Sequence, residues 1–143
     1  MPSRFHQGTF LMKHPEKYVG NKAPYFRSGW EWSVMSTFDS HLSILHWSSE
    51  SLEIPYYDPL MQKMRKYIPD FLIEYIDSSG VKHVELIEVK PASQTGQKKT
   101  RSKKNQEQII INTAKWESAR DYCSKNGIGF RILTENEIFG KKK

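Results

Sequence analysis

From Ser28 onward, Glu31, Met35, Phe38 and Leu42 follow one another at helical spacing and predict a helix with one apolar face. Ahead of it, residues 1–27 mix Gly, Pro, Lys and aromatic side chains with no sustained period, which predicts an irregular N-terminal arm. Phe5, Phe10, Tyr18, Tyr25 and Phe26 in that arm need a surface to pack on. Residues 43–57 change to strand character through Ile44, Leu45, Trp47, Leu52, Ile54, Tyr56 and Tyr57. Ser48-Ser49 interrupts this stretch, and Pro55 and Pro59 close it. Tyr67 to Asp77, rich in β-branched and aromatic residues, is the strongest strand signal in the chain. Lys82 to Lys90 follows the Ser78-Ser79-Gly80 turn signal as its hairpin partner. A polar, basic loop is expected at 91–104, then a second helix from about Asn105 to Asn126, stopped by Gly127. Ile128 to Thr134 reads as a last strand and Lys141-Lys142-Lys143 as a basic tail. The order predicts an α/β fold: an arm at 1–27, one domain at 28–140 and a tail at 141–143.

Composition narrows the class of partner. A chain of 143 residues is long enough to bury a core, and its 37% hydrophobic content argues against disorder. A net charge of +6 and a pI near 9.4 favour a polyanionic partner. The single cysteine, Cys123, excludes an internal disulfide framework and fits a reducing compartment. The first residues lack the apolar core of a signal peptide, and no apolar run is long enough for a bilayer, so a soluble domain without a membrane partner is expected. No phosphate-binding glycine loop or dinucleotide fingerprint is present, and no nucleotide cofactor is expected. His6, His14, His41, His46 and His83 lack metal-ligand spacing.

The candidate chemistry sits on the predicted hairpin. Glu88 and Lys90 are two apart in a strand and leave the same face, and Asp70 can lie across from them on the partner strand. Pro69 cannot donate to a ladder, so the strand is expected to splay, bulge or form an edge at that point. Asp70 and Glu88 offer hard oxygen ligands to Mg²⁺, for which Mn²⁺ is a substitute, and the Val89 carbonyl is a further candidate ligand. Lys90 is then placed to hold or deprotonate an attacking water and to offset charge at a phosphorus centre. A solvated cross-strand salt-bridge patch is the competing reading, but Leu72, Val84 and Leu86 share the alternation of the charged residues.

Glu31 is a third acidic candidate with two readings. It lies on the apolar side of the first helix, with its carboxylate at the core or its rim, and is a candidate metal ligand there. Ser28-Gly29-Trp30-Glu31 is equally a capping box, in which the glutamate serves only the helix end. Lys98, Lys99, Arg101, Lys103 and Lys104 follow the candidate strand and are expected to hold a phosphate backbone without reading bases. Lys115, on the flank of the second helix, is a further candidate phosphate contact.

With Glu31, Pro69-Asp70 and Glu88-Val89-Lys90 in this order, the chain resembles the PD-(D/E)xK restriction-endonuclease-like nucleases. More narrowly, it is similar to the endonuclease subunits of heteromeric cut-and-paste transposases and to the head-completion nucleases of T-even-type tailed phages. The stretches that carry this are Pro15-Glu16-Lys17-Tyr18-Val19-Gly20, Ser28-Gly29-Trp30-Glu31, Ser49-Glu50-Ser51-Leu52-Glu53-Ile54-Pro55-Tyr56, Tyr67-Ile68-Pro69-Asp70-Phe71 and Leu86-Ile87-Glu88-Val89-Lys90-Pro91. The resemblance implies an αβββαβ core and Mg²⁺-dependent cleavage of DNA, with Glu31, Asp70 and Glu88 as acidic ligands and Lys90 as the catalytic lysine. The phage branch further implies work on the DNA-filled head during virion assembly in the host cytoplasm, with head or portal proteins as partners. Retention in the virion is a second expectation of that branch. Transposition or junction cutting by the same fold, or a structural head protein that grips DNA without turnover, are the alternatives.

Overall fold

The computed structural model describes residues 7–96 and 100–138. Its N-terminal segment is less irregular than its composition suggests. β1 (Gly8–Thr9) pairs antiparallel with β2 (Tyr25–Phe26), and a 3-10 turn at Pro15–Lys17 lies between them. Phe10 and Phe26 find their packing surface in one cluster with Met35, Phe38, Trp47 and Phe71. Lys17 Nζ donates to the carbonyls of Asp39 and His41 at 3.0 and 2.9 Å, which fixes the arm to the end of the first helix.

That helix, α1 (Gly29–Ser40), begins where the Ser28 hydroxyl accepts the Glu31 N–H at 3.1 Å. Met35 and Phe38 are buried as their spacing requires. Leu42 is not: the chain turns extended at His41, and Leu42 lies 95% exposed beyond the helix end.

Six further strands follow: β3 (Ile44–Ser49), β4 (Ile54–Asp58), β5 (Lys63–Tyr67), β6 (Phe71–Ile76), β7 (Lys82–Val89) and β8 (Gly129–Leu133). The central sheet has the order β3-β6-β7-β8, antiparallel except for the β7–β8 pair. β4 and β5 form a separate antiparallel hairpin. The stretch at 43–57 is therefore two strands in two sheets. The expected continuous strand at 67–77 is also broken, because Ile68-Pro69-Asp70 separates the end of β5 from the start of β6. Proline supplies no ladder donor there, and the Asp70 N–H turns to the Glu88 carboxylate at 3.3 Å. β5 had no sequence signal, since Lys63-Met64-Arg65-Lys66 shows no apolar alternation and all four are exposed.

α2 (Lys103–Asn126) is capped by the Ser102 hydroxyl and ends at Gly127, whose φ of 68° is the left-handed conformation a helix stop requires. It begins two residues earlier than expected, so Lys103 and Lys104 occupy its first turn and not a loop. Lys98 and Lys99 lie outside the described residues. A short α3 (Glu135–Ile138) follows β8. No helix among the described residues is long and apolar enough to cross a membrane.

The two helices cover opposite faces of the sheet. Phe71, Ile73 and Ile87 pack towards α1, with Val34, Met35 and Phe38. Leu86, Ile54, Tyr56 and Tyr67 pack with Trp116, Ala119 and Cys123 of α2. Alternation along β7 thus sends Leu86 and Glu88 to the α2 side. The result is a three-layer α/β core of the restriction-endonuclease-like type, with an added β4–β5 hairpin at one end.

Candidate active site

The register Phe71↔Ile87 and Leu72↔Leu86 continues past the ladder to set Asp70 opposite Glu88. Two backbone donors lock this arrangement. The Asp70 N–H donates to Glu88 Oε1 at 3.3 Å, and the Val89 N–H donates to Asp70 Oδ2 at 2.8 Å. No described residue hydrogen-bonds to Asp70 Oδ1. The next N–H in the chain, that of Lys90 just beyond β7, faces the other way and donates to the Leu133 carbonyl at 3.0 Å. In an extended strand the N–H and C=O of one residue share an edge, so the Val89 carbonyl points to the Asp70 side.

Glu88 is buried, with 4% of its surface exposed, and it has three neighbours of different kinds. The Tyr67 hydroxyl donates to Oε1 at 2.8 Å, the Asp70 N–H shares that oxygen, and Lys90 Nζ lies 4.0 Å from Oε2. Burial holds the Asp70 carboxyl well above the usual carboxylate range, and the Glu88 charge adds to the rise. Burial raises Glu88 as well, against the pull of Lys90, the Tyr67 hydroxyl and the Asp70 N–H. The two carboxyls titrate as a pair. Burial, and after it the Glu88 charge, keeps the Tyr67 phenol protonated, so it remains a donor.

Glu31 approaches from the first turn of α1. Its Oε1 accepts the Arg27 N–H at 2.8 Å, one residue before the expected capping-box partner, so the box is only half formed. Burial raises its pKa, and its charge in turn helps to raise that of Asp70. Lys90 acts on Glu31, Asp70 and Glu88 alike. The structure therefore gathers Glu31, Asp70, Glu88 and Lys90 around one electrostatic centre. Among the described residues no three acidic, imidazole or thiolate groups close into a ready-made metal cage.

Two buried carboxyls that burial and mutual repulsion hold back from ionising, even with the Lys90 and Lys115 ammoniums acting on them, make the environment a divalent cation relieves. Mg²⁺ in particular takes one or two carboxylates and completes its shell with water and phosphate oxygen. Asp70 and Glu88, with one Asp70 oxygen to which no described residue hydrogen-bonds, fit that ligand set.

Sequence reasoning missed several residues that the fold brings here. Tyr67 is one; its place beside Ile68-Pro69-Asp70 carried no hint that its hydroxyl meets Glu88. Glu50 is another, at φ 53° just after β3, with its N–H donating to the Asp70 carbonyl at 3.0 Å. Its carboxylate pairs with Arg27 and, at 3.5 Å, with Lys22. Lys115, expected on the flank of its helix, has its Nζ over the rings of Tyr67 and Tyr56 at 5.5 and 5.9 Å. Burial lowers its pKa, followed by repulsion from Lys90, while Glu88 and Asp70 act the other way. Arg101 is exposed ahead of α2, and Lys103 and Lys104 put two cations on a helix start that carries no acidic residue.

Comparison with known proteins bears on the family. Residues 41–135 match the family model described as TnsA-like endonuclease N terminal, a span that includes Asp70, Glu88, Lys90 and Lys115. The chain is also 34% identical over 144 residues to the head completion nuclease of Enterobacteria phage T4, with 93% of each chain covered. A family match over the whole central sheet and a relative covered over 93% of its length converge on one assignment: this chain belongs to the TnsA-like endonuclease family.

Proposed function

We propose that this chain is a metal-dependent DNA endonuclease that acts in phage head completion. The observation that carries the chemistry is the buried Asp70–Glu88 pair with Lys90 beside it. Asp70 and Glu88 would hold Mg²⁺, with Mn²⁺ as a substitute, and the Val89 carbonyl and Glu31 are further candidate ligands. Bound there, the cation would bring a phosphate and a water together and draw off charge during displacement. Tyr67 fixes the Glu88 carboxylate from the apolar side and leaves Oε2 turned towards Lys90. The Lys90 ammonium orients the attacking water and offsets the negative charge that builds on the phosphorus oxygens.

DNA is held through its backbone. Lys103 and Lys104 sit at the positive end of the α2 dipole, where cations are unfavourable and a phosphate offsets both. Arg101 extends this surface, Lys98 and Lys99 belong to the same proposal, and Lys115 acts on Glu88 from α2. The relative's name supports a role in finishing phage heads; action in the host cytoplasm, with head or portal proteins as partners, belongs to the same proposal. Incubation of supercoiled plasmid with protein and Mg²⁺, Mn²⁺ or EDTA tests the reading. Nicked or linear product is expected with either metal and none in EDTA; equal cutting in EDTA overturns it.

A further inference from the structure

The β4–β5 hairpin stands apart from the central sheet and rises directly from the active site. Its last residue, Tyr67, holds Glu88, and Tyr56 on the opposite strand shares the Lys115 ammonium with Tyr67. Its tip is preformed. Asp58 has no solvent exposure, and its Oδ1 accepts the N–H groups of Leu60 and Met61 at 2.9 and 3.0 Å. The Asp58 carbonyl accepts the Gln62 N–H at 2.8 Å, and Gln62 adopts φ 55° to complete the turn.

What this rigid turn presents is unusual for a polar surface. Leu60 and Met61 are 44% and 55% exposed at the tip, and the facing pair Tyr57 and Met64 are 53% and 62% exposed behind them. On the same ribbon Lys63, Arg65 and Lys66 are exposed. The acids that answer them are Asp58, already engaged by the turn, and Glu53, 3.4 Å from Lys66. A cationic ribbon with an apolar tip matches the surface of duplex DNA: phosphates outside, stacked bases within. Apolar side chains of these types part base steps when an adjacent cationic surface holds the backbone.

We propose that the β4–β5 hairpin is a DNA-deforming wedge, in which Lys63, Arg65 and Lys66 follow the phosphates while Leu60 and Met61 enter the base stack. The inference rests on DNA being the substrate of the Asp70–Glu88 site. Strand rise places the tip roughly 13–17 Å from Tyr67; with the ribbon laid along the duplex from the site, that spans about four to five base pairs. Opening a step there costs least where stacking is already weak. The nuclease then favours a bulge or mismatch at that distance over perfect duplex, without reading sequence.

The test uses an Asp70→Asn protein in EDTA, so that binding is read without cleavage. Perfect duplex and a duplex with one central bulge carry 2-aminopurine beside the bulge position. The expected result is binding of the bulged duplex about tenfold tighter, with a rise in 2-aminopurine fluorescence. Adding Leu60→Ser and Met61→Ser should remove both effects. Met61→Ser alone serves if thermal melting shows the double change to be unfolded. Equal affinity for both duplexes, or a preference that survives the tip changes, overturns the wedge while leaving the nuclease reading intact. Tip variants that keep full DNA discrimination but lose binding to head proteins overturn it in favour of protein docking. No binding to either duplex overturns DNA as the substrate and the wedge with it.

Discussion

The Tyr67 hydroxyl donates a 2.8 Å hydrogen bond to Oε1 of Glu88, and both residues are buried. The base of the hairpin and the Glu88 carboxylate are therefore one mechanical unit. A buried bond to a charged group is worth on the order of 1–3 kcal/mol. Groups that orient metal ligands typically contribute roughly ten- to a hundredfold in affinity or activity. Tyr67→Phe should accordingly lower metal affinity and cleavage by about that factor while the fold persists. Unchanged metal affinity in a calorimetric titration would show that Glu88 is held by other means.

The raised pKa values of Asp70 and Glu88 give a pH dependence of definite sign. In the metal-free fold both carboxyls hold their protons to a higher pH than in the unfolded chain, where carboxyls release them at about 4. Their stabilising contribution is present below that value and is lost as pH rises through the folded-state values. Asp70→Asn removes the penalty, so its melting temperature in EDTA should exceed that of the wild type by a few degrees at neutral pH. The difference should shrink towards pH 4. A gap that stays constant with pH contradicts the burial of both charges in the metal-free site.

Lys90 and Glu31 are expected to separate in their effects. Lys90→Ala should bind metal as before and lose rate by about 10²–10³, the usual cost of one transition-state contact. Glu31→Gln keeps an acceptor for the Arg27 N–H, so its melting temperature should barely change while cleavage falls. Wild-type cleavage by Glu31→Gln would leave Glu31 as a helix cap and nothing more.

Much of the fold was legible because its signals are local. The period of α1, the hairpin turn at Ser78-Ser79-Gly80 and the Gly127 stop each rest on a few neighbouring residues. The pairing of Asp70 with Glu88 was legible for the same reason, since a short hairpin fixes register. β5 was invisible because its stability comes from pairing with β4, while four of its five side chains face solvent. Tyr67 and Glu50 were missed because their partners lie 21 and 23 residues away, across elements whose packing no period reports. The helix pattern ran on to Leu42 because spacing continues where the backbone does not.

The basic surface makes a prediction about salt. Changing Lys98, Lys99, Arg101, Lys103 and Lys104 to Gln should weaken binding to unrelated sequences equally. The slope of log affinity against log salt should flatten by about 0.9 for each duplex phosphate that is no longer neutralised. Titrations at several salt concentrations measure it directly. An unaltered slope would place the DNA elsewhere on the protein.

If Asp70 and Glu88 form one metal site, a Mn²⁺ titration followed by electron paramagnetic resonance reads that site without relying on cleavage. Wild-type protein should remove free Mn²⁺ from solution in a saturable manner, and more strongly once duplex DNA supplies phosphate oxygens. Asp70→Asn and Glu88→Gln should each abolish the saturable binding, with and without DNA, while remaining folded. Saturable Mn²⁺ binding of equal strength in all three proteins would contradict the assignment.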